Sequence, residues 1–562
     1  MSDQPRLDTY HFYEGEWDGY DELLDAFEWE VPESFNMASY VCDRWAADDG
    51  ERIALHADDG TGERETYTFS ELRDTADAVA NSLADRGIDR GDRVGVNTRQ
   101  RPETAIAHIA CWKLGAVSVP LSTLFGTDAL RYRLDDAGAV ACFVDASNVD
   151  TLRGVVDNAP SLETVVTVGD VTPEDGEVAF EKMVEANPST FETARTDAED
   201  NAIVIYTSGT TGDPKGVLHA HRVLLGNLPL FITGFCNLRL HDTDVFWTPS
   251  EWAWVATLFD IVFPGLFYGR PVVAHTADEE FDPETAMDLI ERHDVTNYFA
   301  PPTALRMMQR LDSPERWDVS SVRCIPSGGE SLDRSVVDWA RDVFEGAVVN
   351  EAYGQTEANM IAGGCTELVD SREGKIGKRA PGHELAVVDP TTAEATVEPG
   401  EVGEIAVRYE GNPVCFEEYW GKPERTATKV TDGWLLTEDL GTIDEEGYLR
   451  FHSRKDTVII SAGYRIGPVE IEEALTSHEA VADAGVVGVP DDERGEIPKA
   501  FVVLAARAEP SGELETRLKR DVRDRLAEYE YPREIEFVAD LPKTSSGKIR
   551  RTALAGRNDT EE

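Results

Sequence analysis

Tyr206-Thr-Ser-Gly-Thr-Thr-Gly-Asp-Pro-Lys215-Gly216 follows the apolar run Ala202-Ile-Val-Ile-Tyr206. The run has the length and boundaries of a short buried strand. In the segment after it, Gly209, Gly212 and Gly216 let the backbone turn tightly and approach a ligand closely. Thr207, Ser208, Thr210 and Thr211 add hydroxyls, and Lys215 adds one point charge. Backbone N–H groups in such a loop form an anion cradle, so a polyphosphate is the expected ligand. The alternative is a solvated Gly/Thr surface turn. The spacing is not that of a Walker A loop, which needs G-x-x-x-x-G-K-[ST].

Outward from this loop, the chain alternates strand and helix patterns. Arg93–Val96, Ala116–Val119 and Ala139–Val144 read as strands, and Glu103–Leu114 reads as a helix. That alternation predicts parallel α/β layers. Ser70 reads as the N-cap of an amphipathic helix. The aromatic residues among 1–35 predict a segment packed on the main body, and 145–200 reads as acidic and loop-rich. From about 384 the texture changes to short strands broken by Gly and Pro, a small β unit, and beyond 456 to a compact β/α tail.

With 562 residues the chain is too long for one core. Its 53 Lys+Arg against 108 Asp+Glu give a net charge of −55. Such self-repulsion destabilises a compact state in ordinary buffer. At about 1 M salt the Debye length is roughly 3 Å and the repulsion is screened, so the composition predicts a halophilic protein in a salt-rich cytoplasm. Nucleic acid and anionic membranes are disfavoured as partners. The seven cysteines show no metal spacing and read as core residues of a reducing compartment. No apolar run is long enough to span a bilayer, and the expected location is cytoplasmic.

Three further stretches carry chemistry. Asn350-Glu-Ala-Tyr-Gly-Gln-Thr-Glu357 packs an aromatic, an amide, a hydroxyl and a carboxylate into what reads as a turn after Ala347–Val349. Glu357 there suits Mg²⁺, a hard ion that takes oxygen ligands. Asp439 falls just after the apolar Trp434-Leu-Leu, where a carboxylate can accept from both ribose hydroxyls. Leu541-Pro-Lys-Thr-Ser-Ser-Gly-Lys548-Ile-Arg-Arg551 is a cationic loop in a chain otherwise poor in lysine. Taken singly, each has a bland reading: a polar turn, a turn-forming Asp, a solvated basic tail.

Together these stretches, from about 35 to 556, resemble the adenylate-forming acyl/aryl-CoA synthetases, and most of all the medium-chain acyl-CoA synthetases. Phe35-Asn-Met-Ala, Tyr353-Gly-Gln-Thr-Glu, Ser461-Ala-Gly-Tyr-Arg-Ile-Gly-Pro and Tyr531-Pro-Arg-Glu-Ile-Glu-Phe-Val carry the likeness. The resemblance implies an α/β multi-domain fold. An extension over 1–35 precedes an N-terminal AMP-binding domain over 36–455, made of two α/β subdomains and a small β-barrel at about 384–455. A mobile C-terminal α+β lid domain over 456–562 follows a hinge at Asp456. The implied reaction joins ATP, a small carboxylic acid and CoA, with Mg²⁺, through an acyl-adenylate.

By position, the resemblance places the ATP phosphates on Thr207, Ser208, Gly209, Thr210, Thr211, Gly212 and Lys215. Adenine would lie against Gly328, Gly329 and Glu330 and the run Glu351, Ala352, Tyr353, Gly354, Gln355. Thr356 would meet the α-phosphate, Glu357 the metal, and Asp439 with Arg454 the ribose; Arg465 also belongs to the ATP set. Lys548 would be the adenylation lysine and His221 would lie near the acyl carboxylate. CoA would meet Ala462, Gly463, Tyr464, Arg494, Tyr531, Pro532 and Arg533. Acetyl-specific relatives close the acid pocket with a Trp where this chain has Gly354, so an open floor, with Trp254 as a wall, implies a medium-chain or short branched acid. Lys548 follows Pro542-x-x-x-x-Gly547, resembling the context acetylated in regulated relatives. The rival readings are an aryl-CoA ligase, a ligase passing the acyl group to a carrier protein, and a non-catalytic nucleotide-binding protein. Oligomeric state is not legible.

Overall fold

A computed structural model describes the chain apart from residues 1–3, 61–63, 208–212, 277–280, 331, 333, 391, 393–397, 456, 462–463, 492–493, 507, 527–530, 544–547 and 556–562, and apart from a few side chains including those of Tyr464 and Arg465. Ser208, Gly209, Thr210, Thr211, Gly212, Asp456, Ala462 and Gly463 therefore lie outside the described residues.

Two large sheets form the N-terminal body. The eight-stranded sheet runs in the order Glu418–Tyr419, Lys215–Ala220, Asn201–Thr207, Val117–Pro120, Arg93–Asn97, Ala139–Asp145, Thr164–Val168, Glu177–Ala179. Its strands from Asn201–Thr207 onward are parallel, and Lys215–Ala220 returns antiparallel as a hairpin. Parallel strands are covered on both faces, and Ala202 to Tyr206 are accordingly buried throughout. The expected helix is Pro102–Leu114, with Pro at its start and Gly115 at φ +75 closing it. The predicted cap at Ser70 is wrong by two residues. Thr68 caps Phe69–Asp85, because its hydroxyl accepts from Glu71 N while the Glu71 carboxylate accepts from Thr68 N. Residues 145–200 are loop-rich as expected, with the helices Val149–Val156 and Phe180–Ala186 and the strands Thr164–Val168 and Glu177–Ala179 between the loops; the two strands complete one edge of the sheet.

The nine-stranded sheet has a parallel centre, including Cys324–Gly328 beside Val348–Gln355, and antiparallel margins. A five-stranded antiparallel unit built on Gly403–Arg408, Trp434–Ile443 and Leu449–Arg454 follows. The C-terminal unit is a second five-stranded sheet, with helices Pro468–Thr476, Gly512–Arg525 and Arg551–Ala555. The first 35 residues pack as expected. Tyr10, Tyr20 and Leu23 are buried, the Tyr20 hydroxyl donates to Arg379 O and the Trp29 indole to Gly382 O. All seven cysteines are buried. Among the described residues no helix is long and apolar enough to cross a membrane.

Candidate active site

A cleft of about 3470 Å³ separates the N-terminal body from the C-terminal unit. In the hairpin Asn201–Thr207/Lys215–Ala220, Thr207 pairs with Lys215 and both line the cleft. Gly216 serves packing rather than ligand approach. It pairs with Tyr206 inside the hairpin, and a Cβ on it would lie 2.7 Å from Val204 and 3.3 Å from Trp420.

The second wall comes from the parallel pair Cys324–Gly328 and Val348–Gln355. Gly328 sits opposite Ala352, where a Cβ would come within 2.6 Å of the Ala352 carbonyl oxygen. Gly329 turns at φ +88, a conformation open to glycine. The Glu330 carboxylate is held by Thr303 Oγ1 at 2.9 Å and Arg306 Nη2 at 2.5 Å. The motif expected as a turn is strand as far as Gln355, and only then does the chain bend toward Asn359–Gly363.

Beyond that strand, the Thr356 carbonyl accepts from His219 Nε2 at 2.8 Å, which fixes the proton of that imidazole on Nε2. Burial holds His219 down at about 4, so it is neutral. Glu357 is 8% exposed; its Oε1 accepts from the Tyr419 hydroxyl at 2.5 Å, and its backbone carbonyl accepts from Phe416 N. The Lys215 ammonium lies 4.9 Å from the Tyr419 ring centre. Tyr419 thus touches both the loop lysine and the candidate metal carboxylate. Sequence reading missed it because its partners are distant in the chain.

Asp439 lies inside the strand Trp434–Ile443, not beyond its end. Register sets it directly opposite Arg454. Arg454 Nη1 donates to Oδ1 at 2.9 Å and the Tyr353 hydroxyl donates to Oδ2 at 2.8 Å. Burial raises the Asp439 carboxyl above the usual carboxylate range, and Arg454, the Tyr353 hydroxyl, Lys429 and Lys548 hold that rise back. Lys548 also lines the cleft, so a side chain from the end of the chain faces the same space as Thr207, Glu357 and Asp439.

Among the described residues, several expected partners are not brought here. His221 is fully buried behind the hairpin, where Nδ1 accepts from Met37 N at 3.2 Å and burial lowers it to about 3. It does not line the cleft. His219 is buried too and does not line the cleft; it touches the site only through the Thr356 carbonyl. Arg494, Tyr531, Pro532 and Arg533 also lie away from the cleft, with Arg533 stacked 4.2 Å over the Tyr531 ring. The Tyr464 and Arg465 backbone forms the strand Tyr464–Ile466. Trp254 does line the cleft, with Val255, Phe299 and Met360. Gly354 lines it too, but its missing Cβ points elsewhere: it would sit 1.5 Å from the Asn359 carbonyl oxygen on the adjacent strand. The hairpin, not the ligand, demands glycine there.

Among the described residues no group of three or more His, Cys, Asp or Glu side chains can hold a metal. Glu357 alone suits an ion that takes one or two carboxylates and completes its shell with substrate phosphates and water, as Mg²⁺ does.

Comparison with known proteins covers the whole architecture. The AMP-binding enzyme family matches residues 42–420 and the AMP-binding enzyme C-terminal domain matches 470–548. An uncharacterized acyl-CoA ligase of Bacillus subtilis, YtcI, is 34% identical over 539 residues, covering 94% of this chain and 97% of that protein. The human mitochondrial acyl-coenzyme A synthetase ACSM4 is 34% identical over 95% of this chain and 92% of its own. In structure, an anthranilate CoA ligase complexed with anthranoyl-AMP superposes with a TM-score of 0.86 at 27% identity, over 94% of this chain and 98% of that one. An acyl-CoA synthetase of Brucella canis does so at 0.74 and 33%, over 97% and 99%.

Proposed function

Since this chain belongs to the AMP-binding enzymes and is an AMP-forming acyl-CoA ligase using ATP and CoA, we propose that it activates medium-chain or short branched fatty acids. The observation that carries this reading is the meeting of Thr207, Lys215, Glu357, Asp439 and Lys548 around one cleft whose further wall is Trp254, Val255, Phe299 and Met360. The polar groups suit a nucleotide and the apolar wall suits a hydrocarbon chain. The Gly354–Asn359 contact is a constraint of the hairpin, so the preference against acetate rests on the apolar wall of Trp254, Val255, Phe299 and Met360. A Trp at 354, the closure of acetyl-specific relatives, would require the Asn359–Gly363 strand to move.

In this reading the acid's carboxylate attacks an anionic α-phosphorus, and the barrier is chiefly charge repulsion and positioning. Lys548 neutralises the oxygens of acid and α-phosphate. Asp439, braced by Arg454 and Tyr353, holds the ribose, and Glu330 with its Thr303 and Arg306 partners fixes the strand end against the adenine. Lys215 and the loop after Thr207 hold the outer phosphates. Glu357 would hold Mg²⁺, which supplies charge neutralisation to those phosphates. After pyrophosphate leaves, the C-terminal unit turns about Asp456, withdrawing Lys548 and bringing Ala462, Gly463, Tyr464, Arg494 and the Tyr531–Pro532–Arg533 loop to CoA. The distance of Arg494, Tyr531, Pro532 and Arg533 from the cleft suits the first of the two steps.

An aromatic acid is the second reading, favoured by the likeness to an anthranilate CoA ligase. The test is pyrophosphate release over acetate, isovalerate, hexanoate, octanoate and benzoate, with and without CoA, in about 1 M KCl, where surface charge is screened. Hexanoate or isovalerate should lead; comparable turnover of acetate and hexanoate would refute the chain-length reading, and benzoate in the lead would establish the second. Loss of activity at low salt would support halophilic adaptation.

A further inference from the structure

One charged cluster outside the residues already assigned touches both stems of the phosphate loop. The helix Thr127–Ala137 carries Tyr132 and Asp136 one turn apart, on one face. Asp136 Oδ2 accepts from the hydroxyl of Tyr206, the residue before Thr207, at 2.8 Å. The Tyr132 hydroxyl lies 3.0 Å from the carbonyl of Pro214, the residue before Lys215, and 3.4 Å from Asp136 Oδ1, so its single hydrogen goes to the nearer carbonyl. Lys422 Nζ bridges both Asp136 oxygens at 2.7 and 3.0 Å. Through its backbone, Lys422 N donates to the carbonyl of Tyr419, whose hydroxyl holds Glu357.

We propose that Asp136, with Tyr132 and Lys422, is a positioning group for ATP: it fixes the two ends of the phosphate loop and ties them to the segment that braces Glu357. This rests on the reading of residues 207–215 as the phosphate grip. Fixing Tyr206 and Pro214 before ATP binds lowers the ordering cost of binding, and that pre-organisation appears as affinity. The cation is part of the device. A bare carboxylate beside a polyphosphate site would repel the ligand, and Lys422 cancels that charge while leaving Asp136 able to accept from Tyr206.

The experiment measures KM for ATP and for acid in the full-length enzyme, together with thioester formation from supplied acyl-AMP and CoA. It uses Asp136→Asn, Tyr132→Phe, Lys422→Met and the Asp136→Asn/Lys422→Met pair, with Lys215→Ala as reference. Loss of a hydrogen bond to a charged group corresponds to about 10-fold. The expected result for Asp136→Asn is therefore an ATP KM raised about 10-fold, with acid KM and the CoA half-reaction within about 2-fold. Tyr132→Phe should do less. Lys422→Met should be worse than the Asp136→Asn/Lys422→Met pair, because only the single variant leaves the carboxylate uncancelled. Unchanged ATP KM in both Asp136→Asn and Tyr132→Phe overturns the proposal, as does a parallel rise for ATP, acid and CoA, which would mean general loosening. If Lys215→Ala raises the ATP KM and these variants do not, the anchor fails alone. If Lys215→Ala also leaves it unchanged, the loop reading fails and the anchor with it.

Discussion

The two faces of the cleft are built on opposite plans. On the N-terminal body, three acidic groups that line the cleft are held by protein partners: Asp439 between Arg454 and Tyr353, Glu357 against Tyr419, Glu330 between Thr303 and Arg306. These partners sit on adjacent strands or packed segments, so their geometry is fixed by register and core packing. The C-terminal face contributes Lys548, an exposed side chain beside the short bridge between Lys543 and Ile549. A buried charge needs fixed partners to offset its desolvation, whereas a charge that serves one step and must leave for the next cannot be buried. In the proposed reading, the contrast puts the binding groups on the braced side and the reaction's cation on the side that turns between steps.

The sharpest way to break this contrast is at Lys548. Lys548→Ala should lower adenylation on the order of 10²–10³-fold, as loss of one transition-state donor does, with a smaller change in melting temperature than Asp439→Ala. Thioester formation from supplied acyl-AMP should be spared; equal loss of both half-reactions would mean that the lysine is not confined to the first. Asp439 is the opposite case. Asp439→Ala removes the buried acceptor of the Tyr353 hydroxyl and one of the two carboxylates on Arg454, which keeps Glu438, so it should cost about 1–3 kcal/mol of stability as well as weakening ATP binding about 10-fold or more. Paired melting and ATP titration of the two variants decide the matter: a Lys548→Ala destabilised as much as Asp439→Ala, or a fully stable Asp439→Ala, would erase the distinction.

The same division separates what the sequence disclosed from what it hid. Strand and helix alternation from residue 93 to 145 was legible because parallel strands and covering helices need continuous apolar runs. Lys548 was legible because a lysine in so acidic a chain stands out against its background. The locking partners were not. Tyr419 meets Glu357 across 62 positions and Lys422 meets Asp136 across 286, and nothing in local spacing encodes such a meeting. His219 and His221 show the finer failure: their spacing does not say that one imidazole reaches Thr356 and the other Met37. Gly354 failed for another reason. Its smallness was visible, but the strand that enforces it was not. The Thr68–Glu71 capping box was readable by counting three residues from Thr68 to Glu71.

A smaller effect is expected at Tyr419. Removing its hydroxyl leaves Glu357 in place but no longer held by that bond, so Tyr419→Phe should raise the Mg²⁺ concentration for half-maximal adenylation about 3- to 10-fold, the range of one net hydrogen bond. Acid KM should not move. Titration of Mg²⁺ against ATP binding, followed calorimetrically, should shift in parallel; an unchanged Mg²⁺ dependence in both assays would remove Tyr419 from the locked face.

The least effect falls where the two faces join. His452, on the last strand before Asp456, has Nδ1 at 2.9 Å from Glu470 Oε1 on the first helix of the C-terminal unit, and Arg450 Nη2 lies 3.3 Å from the same oxygen. These bonds join the N-terminal body to the C-terminal unit, and the proposed turn between steps would require them to part. They are partly exposed and are exchanged for water when broken, so their net worth is about 1 kcal/mol or less. Glu470→Gln should therefore lower adenylation about 2- to 5-fold, because the cation-delivering arrangement is less populated, while thioester formation from supplied acyl-AMP stays level or rises. That opposite movement separates a junction that sets the balance between two arrangements from one that merely stabilises the fold. A parallel fall in both half-reactions would assign it to the fold.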